Sequence, residues 1–122
     1  MTRVRAGATL GEARRLALSL PETAEAPHHE LSSFRVRGKI FATVPPDGLH
    51  LHVFVDEETR EQALELEPDA VEKLWWGGKV MGVRVTLAKA RPALVANLLR
   101  AAWRRKAPRR LVALHAVSQV DR

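Results

Sequence analysis

The chain has 122 residues, no cysteine, 20 lysines and arginines against 14 aspartates and glutamates, and a net charge of +6. That length suits one domain whose core closes without staples, and the missing thiols exclude disulfides, thiolate metal sites and a cysteine nucleophile. No apolar run approaches the roughly 20 residues that span a bilayer, and the N-terminal stretch lacks the apolar centre of a signal peptide, so the composition predicts a soluble cytoplasmic protein.

Thr9 is a candidate N-cap with Glu12 at the capping-box spacing. Leu10, Ala13, Leu16, Ala17 and Leu20 then follow helical spacing until Pro21, which predicts a helix over 9–20. ETAEAPHHEL reads as a polar connector. The stretch SSFRVRGKIFATV, 32–44, reads as a hairpin of strands 33–37 and 40–44. A type II′ turn at Gly38-Lys39 would place Val36 opposite Phe41 and Phe34 opposite Thr43. Arg35, Arg37, Ile40 and Ala42 would then share the other face. After the PPDG turn, 49–55 alternates Leu49, Leu51, Val53 and Val55 against His50, His52 and Phe54, a third strand.

Asp56 starts a helix that Pro68 ends, with acids in its first turn that suit the dipole. Two further strands, 70–75 and 80–87, flank Gly77-Gly78. Pro92 opens a helix whose apolar stripe is Val95, Leu98, Leu99, Ala102 and Trp103, and Pro108 begins a short helix over 108–116. These elements predict an α+β fold: one domain over 1–122, its core about 9–117, with a meander sheet of about five antiparallel strands and the helices on one side.

In order and spacing, Leu20-Pro21, the pattern F-x-V-x-G-K-x-F-A (Phe34, Val36, Gly38, Lys39, Phe41, Ala42) and Trp103, Ala107, Pro108, Arg110 and Leu111 resemble the MmcQ/YjbR-like family of small bacterial proteins. The resemblance spans nearly the whole chain. It implies a frataxin/CyaY-like fold and a DNA-binding role through a pair of wing-like elements. The chain departs from the family pattern at WWGGKVMGV, where relatives often carry polar residues before a tryptophan.

Charge divides along the chain. Residues 1–72 hold 13 acids and 8 Lys and Arg, whereas residues 73–122 hold 12 Lys and Arg and the single acid Asp121. Such asymmetry predicts a surface that faces a polyanion, unless the two halves neutralise each other on packing. Candidate phosphate-contacting residues are Arg35, Arg37 and Lys39 on the hairpin and Arg100, Arg104, Arg105, Lys106, Arg109 and Arg110 on the C-terminal helices. The plain alternatives are an edge ribbon that uses cations against aggregation and ion pairs with the acidic helix that follows Asp56.

Trp75 and Trp76 are candidate stacking residues, though core packing of one and partial cover of the other is the simpler expectation. His50 and His52, with His28 and His29 upstream, have an H-x-H spacing that a metal could use, but no acid stands beside them in the strand, and solvent-facing histidines are the simpler expectation. No metal and no cofactor is predicted. Neither a nucleophile triad nor a phosphate-binding glycine loop is present, so the expectation is a non-catalytic DNA-binding domain. The alternatives are a protein-interaction or self-associating module with acidic and basic faces, and a small-ligand or metal site near the histidines and tryptophans.

Overall fold

Residues 7–120 are described by a computed structural model. Helix α1 (Leu10–Leu18) starts on a closed capping box: Glu12 N donates to Thr9 Oγ1 at 3.0 Å and Thr9 N donates to Glu12 Oε1 at 2.8 Å. Six strands follow in one antiparallel sheet: β1 (Thr23–His28), β2 (Leu31–Val36), β3 (Lys39–Val44), β4 (His50–Val53), β5 (Val71–Trp76) and β6 (Lys79–Thr86). Between β4 and β5 lies α2 (Glu57–Leu66), capped by Asp56, and after β6 come α3 (Pro92–Lys106) and α4 (Arg109–Val120). The fold class is α+β.

The strand count exceeds the expected five because TAEAPH, read as a connector, forms β1. It is an edge strand. Pro27, which has no N–H to give, is tolerated there, and β1 pairs only with β2. Arg14 of α1 ties it down through a 2.9 Å ion pair to Glu25. That hydrogen bond, with a smaller contribution from Ser32, holds the Glu25 carboxyl below the usual range.

The meander is also shorter than expected. Strand order is β1-β2-β3-β4-β6-β5, so every consecutive pair of strands is adjacent except β4 and β5. Helix α2 then carries the chain to the outer edge, where β5 lies, and β6 returns between β5 and β4.

The hairpin register differs from the predicted one. Val36 pairs with Lys39, Arg35 with Ile40 and Phe34 with Ala42. The turn is Arg37-Gly38, with φ of 51° and 80°. Positive φ at both central residues is the type I′ pattern, whose twist matches the strands. Phe41 is the extra residue of a bulge, and it, Phe34, Val36 and Ala42 are all buried.

The helices cover one face of the sheet. Phe34, Val36, Phe41, Leu51, Val53, Val83 and Val85 meet Val95, Leu98, Leu99 and Trp103 of α3 in one core. Burial of such side chains contributes about 1.5–3 kcal/mol each relative to exposure. Trp103 is fully buried, and its indole Nε1 donates to the Pro21 carbonyl at 3.0 Å. Two parts of the family-like pattern, 82 residues apart, are thus one hydrogen bond. Among the described residues no helix is long and apolar enough to cross a membrane.

Candidate nucleic-acid interface

Strand direction decides where the two tight hairpins point. Each neighbouring pair from β3 to β4 to β6 is antiparallel, so β3 and β6 run the same way. The turns that precede them, Arg37-Gly38 and Gly77-Gly78, therefore lie at the same end of the sheet. The second turn is also of the I′ pattern, with φ of 56° and 84°. Strand β4 ends at Val53, so no strand fills the space between the two tips. The sheet forks.

The fork begins where β4 leaves. Phe54 N donates to Phe41 O at 3.1 Å, which keeps the exit of β4 on the β3 arm. On the other arm, Gly82 lies against the same segment. A Cβ there would stand 2.1 Å from the Val53 carbonyl oxygen, so only glycine lets β6 pass this close.

Between the arms is an open cleft of ≈ 530 Å3. Ile40 of β3 and Val80 and Met81 of β6 form its walls, Phe54 and Val55 its floor, and Asp56, Glu57 and Arg60 one end. Arg105 and Lys106, from the last turn of α3, complete it. The Arg105 guanidinium donates to Phe54 O at 2.9 Å. Asp56 caps α2 by accepting from Thr59 N at 2.9 Å. That backbone hydrogen bond, with Arg105 as a lesser contributor, keeps its carboxyl below the ordinary value.

The predicted cations fall into separate groups. Arg35 folds inward: its Nε donates to Ser33 Oγ at 2.9 Å and its Nη2 to Pro27 O at 3.0 Å. Arg37, at the tip, pairs with Glu22. Both arginines therefore brace the β1–β2–β3 arm. Lys39 is exposed at the tip and enters no ion pair among the described residues. Arg105 and Lys106 face the cleft, and Arg109 and Arg110 are exposed just beyond it in the chain. Arg100 and Arg104 instead line a groove with Val112, His115 and Ala116 of α4.

The expected neutralisation by α2 is not found among the described residues. Arg60 on α2 itself takes Glu57 and Glu61, and among the described residues none of the six C-terminal cations makes an ion pair. Nor is either hairpin tryptophan in the core. Trp75 is 60% exposed and Trp76 76%, beside exposed Met81. Trp103 takes the core position instead. Lys79, Met81 and Phe54 are site residues that sequence reasoning passed over; Lys79 beside Gly77-Gly78 was the available signal.

The histidines sit in a separate polar row. Ser33, Thr43, His52, Arg84 and Glu72 are successive cross-strand partners on the face away from the helices. His50 is bonded at 2.8 Å to Asp47, an acid supplied by the turn, and Arg84 lies 3.7 Å from Glu72 and 3.9 Å from Asp47. His50 and His52 are thus partly covered, not freely solvated. Burial, then the Arg84 charge, depresses the His52 pKa. Among the described residues no three His, Asp, Glu or Cys side chains converge as a metal site.

No curated protein and no solved structure matches the chain. A family model described as YjbR matches residues 18–105, from the end of α1 to the last turn of α3, and so takes in the whole sheet, both hairpins and the cleft apart from Lys106. With well over half of the chain matched, the protein belongs to the YjbR family.

Proposed function

We propose that the forked end of the sheet is a nucleic-acid-binding surface and that the domain is non-catalytic. One observation carries the reading: two tight hairpins project from the same sheet end, with Lys39 and Lys79 at their tips and Arg105 and Lys106 between them. Among the described residues none of these four is held in an ion pair. No acid lies in 31–44 or in 73–84, and of the acids beside the two arms, Glu22, Glu25 and Glu72 are held by Arg37, Arg14 and Arg84. Cations on two prongs can straddle a phosphate backbone and release its counterions without reading sequence.

Anisotropy of a labelled oligonucleotide against salt tests this. Four phosphate contacts give a log–log slope of about −3 to −4. The Lys39→Ala, Lys79→Ala pair lowers its magnitude by about two. Arg35→Ala lowers that magnitude less than either lysine change, because two of that guanidinium's nitrogens already donate to Ser33 and Pro27. Failure to bind at low salt would refute the reading.

A second reading has its own observation. Glu58 and Glu65 of α2 are exposed, as are Arg109 and Arg110, and no ion pair links the two groups among the described residues. Opposite faces of two copies could meet through them. Sedimentation that shows salt-sensitive dimers without nucleic acid supports this reading.

A further inference from the structure

Resting on the reading of the fork as a nucleic-acid surface, we propose that Trp75 and Trp76 are stacking platforms for unpaired bases, so that a single strand, not a duplex, is the preferred ligand. Both indoles stand at the tip of the β5–β6 hairpin, 60% and 76% exposed. An aromatic side chain that could bury 150–250 Å2 is left in water twice over in adjacent positions. The fold does not need them there, because Trp103 fills the core.

The hairpin sets where the two indoles stand. Gly77 and Gly78 form a two-residue turn with φ of 56° and 84°, and Trp75 and Trp76 pair across the ribbon with Val80 and Lys79. Adjacent strand residues point to opposite faces. One indole therefore stands on each face of the hairpin, Trp76 on the side of its cross-strand partner Lys79 and Trp75 on the side of Val80, which lines the cleft.

Charge selects the class of partner. Lys73 and Lys79 flank the indoles and enter no ion pair among the described residues, whereas Arg84 further along holds Glu72. Indoles interleaved with cations fit a chain of bases and phosphates, since every base offers a π-face. A duplex hides those faces. To reach those faces in a duplex, an indole must wedge between base pairs, at the cost of unstacking them. An unpaired strand needs no such opening. A base on Trp75 directs the strand towards the cleft, whose apolar walls and mixed charge suit a neutral base better than a phosphate. Arg105 and Lys106 then meet the phosphate at its edge.

The test uses the intact chain with three ligands: a short oligothymidylate, a sugar-phosphate strand of the same length without bases, and a duplex. Trp103, buried and bonded to Pro21, is a fixed fluorescence background. The expected result is saturable quenching by oligothymidylate and affinity at least about tenfold above that for the abasic strand and the duplex. Trp75→Ala with Trp76→Ala removes that preference and leaves the weaker affinities within about twofold. The Trp75→Phe, Trp76→Phe pair retains part of the preference. Unfolding curves matching wild type show that the variants fold. Equal affinity for abasic and base-bearing strands, or tighter duplex binding, overturns stacking and leaves the phosphate-gripping fork intact. No binding to any of the three overturns both.

Discussion

The Arg105 guanidinium donates to the carbonyl oxygen of Phe54 at 2.9 Å, which joins the last turn of α3 to the point where β4 leaves the sheet. The contact fixes a cation in the cleft between the two hairpins. Arg105→Ala is expected to reduce the salt slope of nucleic-acid binding by about one. Its cost in stability stays within about 1 kcal/mol, because one hydrogen bond at a solvent-facing cleft contributes little. Arg105→Lys restores the slope. Anisotropy titrations at several salt concentrations and urea unfolding check the two halves of this prediction.

Gly82→Ala is expected to be among the most damaging single changes. Its methyl group would meet the Val53 carbonyl at 2.1 Å, and backbone cannot give way as a side-chain tip can. β6 must move off β4, at a cost on the order of 3 kcal/mol. A urea midpoint indistinguishable from wild type would contradict the close approach that sets the fork.

Trp103→Phe removes buried volume and leaves the Pro21 carbonyl with only the longer, 3.5 Å hydrogen bond from the Thr23 hydroxyl. A loss of about 2 kcal/mol is expected, read by thermal or urea unfolding. The emission of Trp75 and Trp76 should survive in the folded variant, because those indoles stand in solvent.

The His52 pKa is depressed below the ordinary value of 6.5 by burial and by Arg84. The unfolded chain thus binds the proton more readily than the folded one. Its contribution to stability is present above that ordinary value and is lost as pH falls through the lowered folded value. Thermal unfolding at pH 7.5 and pH 5.5 should show a decline that His52→Gln reduces. An equal decline in both proteins would remove His52 from the cause.

Much of the fold was legible because burial sets period. Val95, Leu98, Leu99, Ala102 and Trp103 announce α3, and Thr9 with Glu12 announces the start of α1. Strand β1 was not legible, since an edge strand of small and polar residues with Pro27 has no alternation to display. The hairpin register slipped for a local reason. Arg37 takes a left-handed φ that glycine usually takes, and Phe41 adds a bulge, so Gly38-Lys39 was the wrong turn. The site was legible only in part. Charge alone points to Lys39, Arg105 and Lys106, and residue type to Trp75 and Trp76. That the tips share one end follows from the β4–β6 pairing, a long-range fact that no local pattern carries. The inward turn of Arg35 depends likewise on β1 being there to receive it.

The most direct measurement is a 1H–15N correlation spectrum of the labelled protein titrated with a short oligonucleotide at low salt. Amide shifts are predicted to concentrate on Gly38, Lys39, Gly77, Gly78 and Lys79, with the indole signals of Trp75 and Trp76 moving and that of Trp103 fixed. Shifts confined to α2 or to the His52–Arg84 row, or no shifts at all, would contradict binding at the fork.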